Sequence, residues 1–142
     1  MRRVCALLCA VAALIAAAPI VATEPVLVVI VHRERSAELS AGDVTNIYLR
    51  KRRFWDDGAP IVPLNREPGS SARERFSRRL LGAPSADFAA YWNEQYFQGV
   101  FPPVTLSSSP AVKRYVATER NAIGYIDVNE VDDSVRVVLR LR

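Results

Sequence analysis

The chain has 142 residues, 50% of them hydrophobic and 24% charged, with a formal net charge of +4. That length suits one domain, or one domain preceded by a processing segment. The balance of apolar and charged residues excludes a disordered polyelectrolyte and a multi-spanning membrane protein.

The apolar residues are unevenly spread. Arg2 and Arg3 precede an unbroken apolar run from Val4 to Ala18, which leads into Pro19, Ile20, Val21 and Ala22. A short basic region, an apolar stretch and small residues at its end describe a secretory signal peptide over residues 1–23. A membrane anchor would need about 20 apolar residues without a central breaker, and this run meets a proline. A lipidation site would need small residues before its cysteine, whereas Cys9 follows Leu7 and Leu8. Cleavage is expected after Ala22 or Thr23, with no membrane insertion afterwards. Both cysteines, Cys5 and Cys9, leave with the leader, as do two of the basic residues, so 17 basic residues face 15 acidic ones and the charge falls to +2. A domain over residues 24–142, about 119 residues, can bury one modest core. A cysteine-free exported domain fits the bacterial periplasm.

Along that domain, Val26–Val31 is a continuous run rich in β-branched residues, the pattern of a strand buried on both faces. Ser40 with Asp43 has capping-box spacing ahead of a helix whose Val44, Ile47 and Tyr48 share a face. Arg50–Trp55 leads into Asp57-Gly58, a turn signature, and Pro60–Asn65 reads as a second strand. Gly69-Ser70-Ser71 opens another helix, with Ser71 and Glu74 at capping-box spacing and Gly82 as its stop. From Pro84 or Ser85 a further helix places Phe88, Tyr91 and Trp92 along one stripe that can extend to Tyr96; Phe88, Tyr91 and Trp92 are expected to be core rather than a ligand platform. Residues 102–109 read as a loop, and Ser109-Pro110 as the cap and first position of a helix through about Glu119. Ala122–Asp127 is a short strand. Val135–Leu141 alternates apolar and basic residues as an edge or half-exposed strand does. Strands separated by helices predict an α/β domain with a mixed sheet of about four strands.

Little here suggests catalysis or metal chemistry. His32 is the sole histidine and has no carboxylate pair at ligand spacing, nor a Gly-x-Ser-x-Gly partner for nucleophilic attack. Asp56 and Asp57 precede a glycine, where acids usually form turns. No enzyme activity, metal or cofactor is expected. Arg50-Lys51-Arg52-Arg53 is the densest charge run and reads as a solvated helix end, or as an attractor of anionic solutes; nucleic acid does not suit an exported chain.

Anion binding has better support. Arg66-Glu67-Pro68-Gly69-Ser70-Ser71 joins a strand end to a helix start. There free N–H groups point outward, a hydroxyl can donate and an arginine can fork onto two oxyanion oxygens. The candidate ligands are Arg66, Ser70, Ser71 and the amide of Ala72. On local sequence alone, a plain helix cap at Ser71 closed by Glu74 is the commoner use of such residues.

The ordered succession Val26–Val31, Ile47-Tyr48-Leu49-Arg50-Lys51, Trp55-Asp56-Asp57-Gly58, Pro60-Ile61-Val62-Pro63, Arg66-x-x-Gly69-Ser70 and Ile123-Gly124-Tyr125-Ile126-Asp127 resembles the phosphate-binding proteins of bacterial ABC importers. More narrowly, it resembles the short, stand-alone members of that family. The resemblance implies a single-lobe periplasmic-binding-protein-like fold, no catalysis, phosphate or another oxyanion as ligand, and an ABC permease or another periplasmic protein as partner. In the family, Arg-x-x-Gly-Ser-Gly-Thr holds phosphate. Arg66 and Ser70 match, while Ser71 stands where glycine is usual and Ala72 where threonine is usual. Gly124 is expected to be structural, allowing close packing near a hinge. Two-lobed relatives close over their ligand and carry a preceding βα segment with further contacts, and the match begins just after it. Half a clamp leaves the anion wet, so weak phosphate binding or none is expected. The alternative is a periplasmic interaction module that keeps the fold without binding a ligand.

Overall fold

The computed structural model describes residues 22–142, so all but the last two positions of the predicted leader lie outside the described residues. Among the described residues no helix is long and apolar enough to cross a membrane.

Five strands, β1 (Leu27–His32), β2 (Val62–Arg66), β3 (Val104–Leu106), β4 (Ala122–Asp127) and β5 (Val135–Leu141), form one mixed sheet in the order β3-β2-β4-β1-β5. β2 runs parallel to β3 and β4, and β1 is antiparallel to both β4 and β5. Helices α1 (Ala41–Tyr48), α2 (Ser71–Phe76), α3 (Ala89–Phe97) and α4 (Ser109–Thr118) flank it.

Strand alternation sets the two cores. Leu27, Val29 and Val31 of β1, with Ile123 and Tyr125 of β4, meet Val44, Ile47 and Tyr48 of α1 and Phe76 of α2. Val28 and Ile30, with Leu64, Ala122 and Ile126, meet Val112 and Val116 of α4 on the other face. The unbroken apolar run thus fills both cores at once, as expected of a central strand. β5 is the edge strand its pattern predicted, with Arg136 and Arg140 exposed.

The Ser40–Asp43 capping box forms in full. The Asp57-Gly58 turn closes through the Gly58 amide donating to the Trp55 carbonyl at 2.9 Å, with Gly58 at φ +83°. Gly82, at φ +78°, ends the run that continues α2 through a π-helical turn, Ser77–Leu81. At Gly124 the backbone of β4 passes directly beneath α4: a Cβ there would lie 2.5 Å from Val112 Cγ1. Close packing is therefore the glycine's role.

Three expectations need correcting. The segment 102–109 contains β3, because pairing with β2 extends three residues, Val104–Leu106, too few to carry a strand pattern of their own. The α/β domain with a mixed sheet is as predicted, and β3 adds a fifth strand to the four expected. The aromatic stripe is not core: Phe88, Tyr91 and Trp92 are each only half-buried, and α3 has no buried residue. Finally, Ser108 and not Ser109 caps α4, its hydroxyl accepting from the Ala111 amide.

The aromatic centre of the first core has a consequence at high pH. Phe76 stacks on Tyr125 at 3.9 Å between ring centroids, and Tyr48 tilts against both. Burial pushes the Tyr125 phenol from 10.0 up to about 12 and the Tyr48 phenol well above its ordinary value. From about pH 10 to 12 the unfolded chain sheds phenolic protons that the folded chain retains, so this stability is intact below pH 10 and drains away above it. Denaturation midpoints across that window should fall by an amount equivalent to about 2–3 kcal/mol for Tyr125. Tyr125→Phe should flatten the slope; an unchanged slope would assign the loss elsewhere.

Candidate functional site

β2 and β4 run parallel, and the connections leaving the carboxyl ends of β2 and β3 lead into the starts of α2 and α4. This is the end of an α/β sheet where ligand crevices form. An open concavity of about 440 Å³ lies there, lined by Arg66, Ser70, Ser71, Ala72, Ser108, Ser109, Pro110, Asp127, Asn129 and Glu130. All four sequence-predicted residues therefore border one space.

Each is held by local bonding. The Arg66 amide donates to Asn65 Oδ1 and to the Tyr125 hydroxyl, and Arg73 donates to the Arg66 carbonyl at 2.9 Å, fixing the end of β2. Gly69, at φ +85°, turns the chain into α2. Ser70 is the cap, its hydroxyl oxygen accepting from the Arg73 amide at 3.1 Å. The expected cap at Ser71 is thus displaced by one position, and Glu74 does not close a box: its carboxylate accepts from the amide and hydroxyl of Ser85. Ser71 is consequently free of the capping role and exposed, while Ala72 is buried as the helix turns inward.

Arg66 spans the concavity. Its Nη1 donates to Ser109 Oγ at 2.6 Å, so one guanidinium ties the β2 end to the start of α4. Its Nε and Nη2 donate to the two carboxylate oxygens of Glu67 at 3.1 and 3.2 Å. These bonds use three of the five guanidinium N–H donors and leave two. The same contact, as the leading cause, holds the Glu67 carboxyl below its ordinary range. Asp127 on the rim is paired with Arg75 at 2.9 Å.

The arrangement can receive an anion: the start of α2 carries partial positive charge with Ser71 exposed, and a guanidinium stands between it and the start of α4. It also holds negative charge nearby at Glu67 and Glu130. Sequence reasoning missed Ser108, Ser109, Pro110, Asp127, Asn129 and Glu130. Ser108-Ser109-Pro110 carried the same helix-start signal as Ser70 and could have been found by it, whereas the β4 end gave no local signal. Asp56 and Asp57 hold Arg52 and Arg35, at 2.9 and 3.3 Å. Among the described residues no group of three or more histidine, cysteine or acidic side chains converges as a metal would require.

The fold has close counterparts. A protein from Clostridium perfringens described as a phosphate ABC transporter substrate-binding protein, solved with phosphate bound, is 28% identical with a TM-score of 0.66, over 80% of this chain and 44% of that one. An ABC-type phosphate transport receptor from Vibrio cholerae is 20% identical with a TM-score of 0.65, over 80% and 45% of the two chains. PstS from Borrelia burgdorferi is 17% identical with a TM-score of 0.61, over 80% and 46%. The latter two show likeness of fold alone. The chain spans less than half the length of each of these proteins. Among curated proteins, none matches the sequence. The family model of the PBP superfamily domain matches residues 18–138, most of the chain. The sequence pattern, the mixed sheet and this match agree that the chain belongs to the PBP superfamily.

Proposed function

We propose that this is an exported, periplasmic solute-binding-type protein that takes inorganic phosphate or a similar tetrahedral oxyanion, weakly, in the concavity between the starts of α2 and α4. One observation carries the reading: Arg66, Ser70, Ser71 and the Ala72 backbone border the same open space as a second helix start at Ser109. An oxyanion there meets the two uncommitted N–H groups of Arg66, the Ser70 and Ser71 hydroxyls and first-turn amides, which are charge-assisted or dipole-favoured donors. Affinity is limited because the space is open to water, where such bonds gain little net energy. Glu67 competes for the same guanidinium. The family resemblance supports an ABC permease as downstream partner, and residues 1–23 supply the export signal.

Isothermal titration with phosphate at constant ionic strength tests this. The expected result is saturation at roughly millimolar concentration, near −4 kcal/mol, lost in Arg66→Ala. No heat of binding up to about 10 mM, a range that covers contacts of that strength, would sink the oxyanion reading.

The Arg66–Glu67 pair itself favours a second reading. A guanidinium already forked onto a carboxylate has its anion built in, and the domain then serves as a periplasmic interaction module without a ligand. That reading predicts the silent titration.

A further inference from the structure

We propose that the basic run after α1, formed by Arg50, Lys51 and Arg53 with the ring of Phe54, docks an acidic segment of a partner protein that also carries an apolar side chain. The reason begins in the backbone. Helix α1 closes in a Schellman motif: the Arg50 amide donates to the Ile47 carbonyl at 3.0 Å and the Lys51 amide to the Asn46 carbonyl at 2.8 Å. The residue at the pivot must turn left-handed, a conformation that favours glycine. Gly58, Gly69, Gly82 and Gly99 fill the other positions of positive φ among the described residues, yet this one holds Arg50, at φ +60°. A strained residue of this kind points to a use for its side chain.

The fold itself uses that side chain little. Arg50 is half-buried, its Nη1 reaches the Ile61 carbonyl only at 3.3 Å, and its Nε has no partner. Burial, and then the nearby Arg53 charge, hold its pKa below the ordinary guanidinium value. Arg52 is held by Asp43 and Asp56 at 3.1 and 2.9 Å. Arg50, Lys51 and Arg53 form no ion pair among the described residues. Lys51 and Arg53 are exposed, and Phe54 beside them is 57% exposed. The backbone beneath is fixed, because the Arg52 amide also donates to the Asn46 carbonyl and the Arg53 carbonyl accepts from the Ile61 amide. A carboxylate placed here relieves the repulsion between cations and meets donors already in position.

Phe54 and the neighbouring turn select the kind of anion. A small inorganic ion gains nothing from an exposed ring. An anionic bilayer is broad and would press against Asp56 and Asp57, whose side chains in the same hairpin are 100% and 60% exposed. A narrow acidic segment with an apolar residue engages the cations and the ring and leaves the turn free, matching charge to charge. The run leads into the start of β2, whereas Arg66 ends that strand, so docking leaves the concavity open.

Fluorescence anisotropy on protein produced from the full coding sequence tests this, with a fluorescein-labelled peptide of glutamates around two central leucines as the probe. Saturable binding is expected, weakening as salt is added. Arg53→Glu should lower the affinity at least about tenfold, since it sets like charges together, and Phe54→Ser about fivefold. Replacing both leucines of the peptide by serine should weaken binding to the parent protein but not to Phe54→Ser. Arg50→Gly is the discriminating variant. It relieves the left-handed strain, so the thermal midpoint should hold or rise, while peptide affinity falls about fivefold. A lower midpoint with the peptide bound as before would give Arg50 a role within the fold and overturn the proposal. So would an absence of binding at low salt, or capture by phosphatidylglycerol vesicles without any response to the peptide.

Discussion

Gly124→Val is expected to destabilise the domain by about 3 kcal/mol and Gly124→Ala by about 1–2 kcal/mol, the cost of overpacking a closed interior. Any Cβ at this position points into α4, meeting Val112 Cγ1 at 2.5 Å and Val116 Cγ2 at 3.4 Å. Neither valine can yield easily, since both are fully buried. Relief requires α4 to lift from the sheet, and α4 carries Ser109 at the concavity. The valine variant should therefore weaken any anion response as well as the fold. Urea denaturation measures the first effect. Pairing Gly124→Ala with Val112→Ala provides the specific check: if the clash is the cause, the two losses should be markedly less than additive. A Gly124→Val protein within about 0.5 kcal/mol of the parent, the ordinary range of surface changes, would refute the close-approach account.

The second large effect is expected at Arg35. This arginine is 7% exposed, and all three of its nitrogens are engaged. Nε donates to the Arg120 carbonyl at 2.8 Å, Nη2 to Asn121 Oδ1 at 2.7 Å, and Nη1 to Asp57 at 3.3 Å. Its guanidinium also lies over the Trp55 ring, 4.5 Å from the centroid, while Trp55 Nε1 donates to the Asn121 carbonyl. One side chain thus joins the segment after β1, the turn before β2 and the turn before β4. Arg35→Ala removes the donor of three part-buried hydrogen bonds and opens a space beside the buried Trp55, together worth about 2–3 kcal/mol. Arg35→Lys should recover little, because an ammonium has neither the fork nor the flat face. The thermal midpoint records the loss, and Trp55 fluorescence should shift to the red as water reaches the ring. A stable Arg35→Lys protein with unshifted emission would show that charge alone suffices.

These two positions mark where sequence reading succeeds and where it stops. Gly124 stood in a contiguous motif, and its structural role was legible from the company of Ile123 and Tyr125. Arg35 sits in Arg33-Glu34-Arg35, where periodicity distinguishes nothing; only the folded chain sets it on Trp55 and Asn121. The same divide runs through the elements. β1, the α1 capping box and the edge character of β5 rest on local pattern, and each appears as expected. β3 depends on register with β2, and the aromatics of α3 carry a core-like pattern on a helix that is only partly covered among the described residues. At the concavity, Arg66 and Ser70 are neighbours in sequence and were legible together. Ser109 and Asp127 arrive there because β2 lies between β3 and β4, a property of topology that no short window contains.

The position of β1 also governs the order of assembly. Its two neighbours in the sheet, β4 and β5, are drawn from residues 122–141, so the first strand of the domain has no partner until the last ones exist. Such long-range pairing makes folding slow relative to chains built from local contacts. Until the final stretch is available, the apolar run from Leu27 to Val31 waits open. A chain that closes only on β4 and β5 remains threadable until residues 122–141 are made, a property that the proposed export would use.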